Sequence, residues 1–177
     1  MKGYWMAGVA ALSASQAFAQ TSDVAALNAA LFANPSATAV LQMWCDRHRP
    51  GLKVRAVVVR REAVVAGSHA ALLGVSESAE VAYRRVQLTC AEEVLSEADN
   101  WYVPARLTPE MNTALTGETP FGVAVRPLAP TRRNLSSEQE WAKQGPNEIL
   151  RHHAVLTAGG APISEVVETY QRAMLAN

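Results

Sequence analysis

The sequence predicts a single α+β domain with an antiparallel sheet. Three observations carry this prediction. Helical patterns come first, within residues 22–47, and strand patterns dominate afterwards, without the β–α–β alternation that a parallel sheet needs. Several segments after Leu52 alternate side chains with the two-residue period of a strand. Two of them, residues 149–157 and 163–173, flank Gly159-Gly160, which is a hairpin signature. At 177 residues, 49% of them hydrophobic, the chain can bury one real core. No internal repeat or low-complexity linker divides it.

Each element has its own signal. Lys2 gives a positive start, residues 4–12 are mostly apolar, and the small residues that follow end in Ala17-Phe18-Ala19. That is the plan of a secretory signal peptide. The apolar run is about half of the roughly 20 residues a spanning helix needs. The expectation is cleavage after Ala19, a mature domain over residues 20–177, export to the periplasm or medium, and no stable membrane span. Residues 22–32 carry apolar side chains at helical spacing, and Asn34-Pro35-Ser36 stops them. Ser36 then caps a second helix that runs to about Arg47. Pro50-Gly51 is a turn. Residues 52–60 are a valine-rich strand, Arg61-Glu62 a short turn, and residues 63–66 a partner strand. Residues 81–90 alternate, and residues 95–103 are extended. Thr108 caps a short helix over residues 109–115, and residues 121–125 are a short strand. Residues 126–147 read as loop with a helical turn in 136–141, which leaves Arg132-Arg133 solvated.

Composition excludes some function classes. Formal net charge is zero, and removal of Lys2 with the leader makes it about −1, so no basic field invites nucleic acid. The histidines His48, His69, His152 and His153 form no HxxxH or HExxH pattern, and neither cysteine sits in a CxxC. No metal site is expected. Export permits a Cys45–Cys90 disulfide, but two buried thiols fit equally well. His152-His153 on a strand puts one ring inward and one outward. Trp101 and Tyr102 close the core or line a pocket.

Two charged residues stand on half-apolar strands. Arg84 shares a face with Val86, Leu88 and Cys90, whereas Arg85 shares the other with Tyr83, Gln87 and Thr89. The apolar face points inward, so Arg84 is the interior arginine and Arg85 the solvated one. A buried guanidinium keeps its proton and must meet an anion, either a protein carboxylate or a ligand. On the last strand Ser164, Val166, Glu168 and Tyr170 share a face, and Ile163, Glu165, Val167 and Thr169 the other. Neither face is clearly wet, so periodicity leaves both glutamates open.

Arg84-Arg85-Val86-Gln87-Leu88, the segment with Trp101 and Arg106, Thr119-Pro120-Phe121-Gly122, and Gly160-Ala161-Pro162-Ile163 followed by Glu168-Thr169-Tyr170 occur in a telling order. Together with Asn34-Pro35-Ser36-Ala37-Thr38, this set resembles the chorismate lyases over roughly residues 36–170. The resemblance implies a sheet of about six strands, helices packed on it and an internal ligand pocket. It implies removal of pyruvate from chorismate to give 4-hydroxybenzoate, with no cofactor. Carried over, Arg84 would grip a substrate carboxylate and Glu168 would be the general acid. The amides of Ala37 and Phe121 would hold carboxylate oxygens, and Arg106 would line the pocket entrance. Arg85 and Glu165 are the alternatives to Arg84 and Glu168. Chorismate is a cytoplasmic metabolite, which an exported chain would not meet. The competing reading is therefore a binding module for small aromatic or hydroxy carboxylates, a role that the related effector-binding domains of GntR-type regulators illustrate. Either way the expected partner is a small carboxylate, and the expected state is a monomer.

Overall fold

The computed structural model describes residues 14–139 and 147–175, with side chains from Asp23 onward. Helix α1 (Ala14–Ala33) and helix α2 (Ala37–His48) come first. Strand β1 (Arg55–Val65), the single helical turn α3 (Ala70–Leu73), β2 (Glu80–Cys90) and β3 (Glu93–Tyr102) follow. Then come α4 (Pro109–Ala114), α5 (Phe121–Ala124), β4 (Thr131–Glu138), β5 (Glu148–Ala158) and β6 (Ala161–Gln171). The strands make one antiparallel sheet in the order β1-β2-β3-β6-β5-β4. The expected α+β class and strand number therefore hold. Among the described residues no helix is long and apolar enough to cross a membrane. Residues 1–13 of the expected leader lie outside the described part, and α1 runs through the expected cleavage point at Ala19.

The main core lies on one face of the sheet. Leu31 of α1, Leu41 and Trp44 of α2 and Leu115 beyond α4 pack there against Val86, Leu88, Leu150 and Tyr170. Ser36 caps α2 as expected, its Oγ accepting from Ala39 N at 3.3 Å. Thr108 caps α4 in the same way through Met111 N. A smaller cluster of Ala66, Ala70, Leu73, Val81 and Val103 covers part of the other face. Cys45 of α2 and Cys90 of β2 form a disulfide, which decides between the two open readings of the cysteines.

Three local expectations are corrected. Residues 55–65 are one strand with a β-bulge between Val58 and Arg60, not two strands about a turn at Arg61-Glu62. No glycine, proline or asparagine stands there to reverse the chain, and Arg60 and Glu62 pair on one face at 2.6 Å. Residues 121–124 are a helical turn, not a strand. A four-residue apolar run cannot declare its period, and Pro120 sets the entry angle as N-cap. Residues 131–138 are the edge strand β4, not a loop with a helical turn. Its inward residues are polar, so the alternation was invisible; Trp141 lies outside the described residues.

A candidate ligand pocket

The register of the sheet assembles the site. On the core face Arg84 of β2 lies beside Asn100 of β3, and Asn100 beside Val166 of β6. One pair along, Val86 lies beside Ala98, Ala98 beside Glu168, and Glu168 beside His152. β2 and β6 flank β3, so Arg84 and Glu168 stand on a diagonal, two strand spacings across and two residues along, roughly 12 Å between Cα atoms. Between them lie Val86, Ala98 and Val166, with Asn100 the polar residue, its Oδ1 accepting from Ser164 Oγ at 2.7 Å. A cavity of about 950 Å³ sits over this floor, walled by the start of α2 and by α5.

Arg84 anchors one end. It is 1% exposed, donates from Nη2 to Gly117 O at 2.6 Å, and leaves Nε without a partner. Among the described residues no carboxylate pairs with it. Burial lowers its pKa; Tyr102 opposes that shift and Arg61 adds to it. A guanidinium stays charged even so, and an unpaired buried cation is costly. The site supplies a cation and lacks the anion.

The start of α2 faces the same space through Ser36, Ala37 and Thr38. The first N–H groups of a helix have no intrahelical acceptor and carry partial positive charge. Phe121 and Gly122 of α5 line the cavity beside the start of α2. Gly122 is there for space: a Cβ would meet Ser36 Oγ and Thr38 Oγ1, each at 2.9 Å. Gly122→Ala is expected to push these hydroxyls aside and weaken ligand affinity about tenfold, with stability lowered by roughly 1 kcal/mol. Calorimetric titration beside a melting curve checks it; unchanged affinity would show that the close approach does not shape the site. Lys53, Arg55 and Arg126 ring the mouth, and Arg55 is paired to Glu118 at 3.2 Å.

Glu168 anchors the other end. It is 7% exposed, and its Oε2 accepts from Arg132 Nη2 at 2.6 Å and from Tyr170 Oη at 2.9 Å. Arg132 Nε donates to Asn134 at 2.9 Å. Burial alone would lower the pKa of Arg132, but Glu168 and Tyr170 overcome that and raise it. Burial, then Glu168, push the Tyr170 hydroxyl well above its usual value, which keeps it a donor. Arg132 was expected in solvent and is instead 4% exposed at the side chain and ion-paired. It is the site residue that sequence reading missed. The only signal was Arg132-Arg133-Asn134 at strand spacing, and it is weak.

The other candidates fall as follows. Ala37 and Phe121 line the cavity with Arg84 and Glu168. Arg85 is on the outer face, bonded to Glu97 at 3.2 Å, because its neighbour Arg84 takes the inward position. Arg106 does not line the cavity. Its guanidinium donates to the carbonyls of Leu73, Gly74 and Pro162, clamping the end of α3 to the start of β6. Glu165 also faces away, accepting from His69 Nδ1 at 2.9 Å and His153 Nε2 at 2.8 Å. Trp101 stacks on His69 there, and Tyr102 is buried against Phe121.

His152 lies behind Glu168, fully buried. Its Nε2 donates to Asn28 Oδ1 at 2.7 Å, and Nδ1 has no partner. Burial lowers its pKa from 6.5 to about 4; Glu168 opposes the shift and Arg132 adds to it. The folded pKa is below the unfolded one, so the unfolded chain binds the proton first. This group's contribution is complete above pH 6.5 and is lost as pH falls toward 4. The loss amounts to up to roughly 3 kcal/mol. Urea melts at pH 7 and pH 4.5 should show a smaller difference in His152→Gln than in the native chain. Equal differences would remove His152 as the source.

No family model matches the chain. The uncharacterized protein y4mC of Sinorhizobium fredii (strain NBRC 101917 / NGR234) is 42% identical over 174 residues, covering 84% of this chain and 73% of that protein. Among solved structures, the effector domain of PhnF from Mycobacterium smegmatis matches with a TM-score of 0.57 at 14% identity, over 77% of this chain and 88% of that one. The ligand-binding domain of a GntR-family regulator from Bordetella bronchiseptica matches with a TM-score of 0.45 at 17% identity, over 66% of this chain and 84% of that one. At these identities the likeness to the PhnF domain is one of fold.

Proposed function

This chain belongs to the same family as y4mC of Sinorhizobium fredii, and we propose that it is an exported binding module for small aromatic or hydroxy carboxylates. The observation that carries this reading is Arg84, a buried cation in a cavity wall with an unused donor and, among the described residues, no carboxylate beside it. A ligand carboxylate there would take Arg84 Nε and the free amides at the starts of α2 and α5, which are charge-assisted hydrogen bonds. The ring would lie on Ala98, Val86 and Val166. A hydroxyl at its far end would meet the Glu168–Arg132 pair. The likeness in fold to an effector domain supports a ligand-binding role.

The lyase reading uses the same pocket and asks Glu168 to give a proton to the enolpyruvyl side. Glu168 Oε2 accepts from two donors instead, which suits a group that orients a ligand. Binding is therefore the better supported function. The test mixes the purified protein with 4-hydroxybenzoate and, separately, with chorismate. A melting temperature raised by 4-hydroxybenzoate with no pyruvate from chorismate is the expected result. Pyruvate release that stops in Glu168→Gln would replace binding with catalysis. Neither response would sink the carboxylate assignment. Export is tested by the N-terminus of secreted protein, expected at Gln20.

A further inference from the structure

The edge strand β1 leaves an unusual surface. It is 11 residues long, and among the described residues its outer edge is unpartnered from Val57 onward, Ala56 N–H already donating to Glu118 O at 2.8 Å. Val57 is 47% exposed, Val59 58% and Val65 68%. A long apolar edge offers unpaired backbone groups to any strand that fits. The opposite edge, β4, shows no exposed large hydrophobic residue, so β1 joining β4 of a second copy would be mismatched. Such a head-to-tail contact would also leave two open edges and grow without closing.

We propose that β1 pairs with β1 of a second copy of this chain, antiparallel about a two-fold axis at Arg61. The strand is self-complementary in that one register. Arg60 and Glu62 point to the same face, as their 2.6 Å contact shows. Across the axis each Arg60 stands opposite the other copy's Glu62, twice. The bulge at Val59 shifts the pairing by one residue there, as it does against β2. Beyond it Val58 meets Ala63 and Val57 meets Val64, and the pairing stops short of Ala56, which is buried with its N–H on Glu118 O. Opposed residues then share a face of the joined sheet, which antiparallel pairing demands. The centre is charge-matched and both flanks are apolar. The sole like-charge pair is Arg61 with its own copy, on the axis. Two six-stranded sheets become one of twelve, and the exposed valine edge disappears. The expected monomer gives way to a closed dimer, and this inference does not rest on the ligand reading.

Sedimentation velocity of the full chain is expected to show a dimer at tens of micromolar. Val57→Lys should weaken it at least tenfold while the circular dichroism spectrum stays unchanged. Arg61→Ser removes the one repulsive pair and should tighten the dimer several-fold, a change no unfolding artefact mimics. Arg61→Cys places two thiols on the axis, where opposed Cα atoms of an antiparallel pair stand about 4.5–5.5 Å apart, within disulfide reach. It should cross-link under mild oxidation, and Val65→Cys should not. A native chain that stays monomeric at 100 μM, on the order of ten times a modest dissociation constant, would overturn the proposal. So would a dimer that Val57→Lys leaves intact, or one in which Arg61→Cys fails to cross-link.

Discussion

Arg84→Met is expected to abolish carboxylate binding and to leave the fold at least as stable. Methionine keeps the unbranched stem that packs on β2 and β3, and it removes the charge. Losing a buried charged donor from a ligand carboxylate costs about 3 kcal/mol or more, so affinity should fall at least ~100-fold. Stability moves the other way. Arg84 is 1% exposed with no carboxylate partner among the described residues, and Nε bonds nothing. Folding the empty protein must desolvate that cation, so replacing it with an apolar side chain is neutral or stabilising by up to about 2 kcal/mol. Calorimetric titration with 4-hydroxybenzoate and urea melts read the two quantities separately. Retained affinity would remove Arg84 from the site. Lost affinity with a large loss of stability would make Arg84 a structural residue held by its bond to Gly117.

The Cys45→Ala, Cys90→Ala double variant is expected to show the largest loss of stability. The disulfide closes a loop with a sequence separation of 45, and a loop of that size restricts the unfolded chain by about 4 kcal/mol. For a domain of this length the melting temperature should drop by roughly 10 °C. The bond also ties α2, whose first turn faces the cavity, to β2, which carries Arg84. Ligand affinity should therefore fall with stability, because the two halves of the anion site lose their common anchor. A native melting curve in the double variant would show that packing of Trp44 and Leu41 alone holds α2. Melting the native protein with its disulfide reduced gives the same reading without mutation.

Much of the fold was legible because its signals are local. Ser36 and Thr108 stand as caps where the sequence put them, and Gly159-Gly160 turns the β5–β6 hairpin. Period-two alternation separated Arg84 from Arg85 correctly, since one face of β2 is apolar and the other is not. The same logic stalled on β6. Its two faces both carry a buried glutamate, and only neighbours on β3, β5 and the turn at His69 distinguish them. It failed on β4, where an inward face made of Arg132 and Asn134 looks like a solvated loop. Arg106 kept its place in the sequence motif but spends its donors on three carbonyls rather than on the cavity.

By itself the sequence determined the α+β class, the β5–β6 hairpin, the capped start of α2 and the inward arginine of β2. Each depends on hydrogen bonds or side-chain periods within a dozen residues. Only the tertiary structure decided that Cys45 meets Cys90, that Arg132 crosses from β4 to Glu168 on β6, and that Arg84 finds no carboxylate among the described residues. Those facts depend on which strands become neighbours and what each buried charge finds there. Pair distances between residues 36 or 45 positions apart are set by sheet order, and no local pattern encodes them.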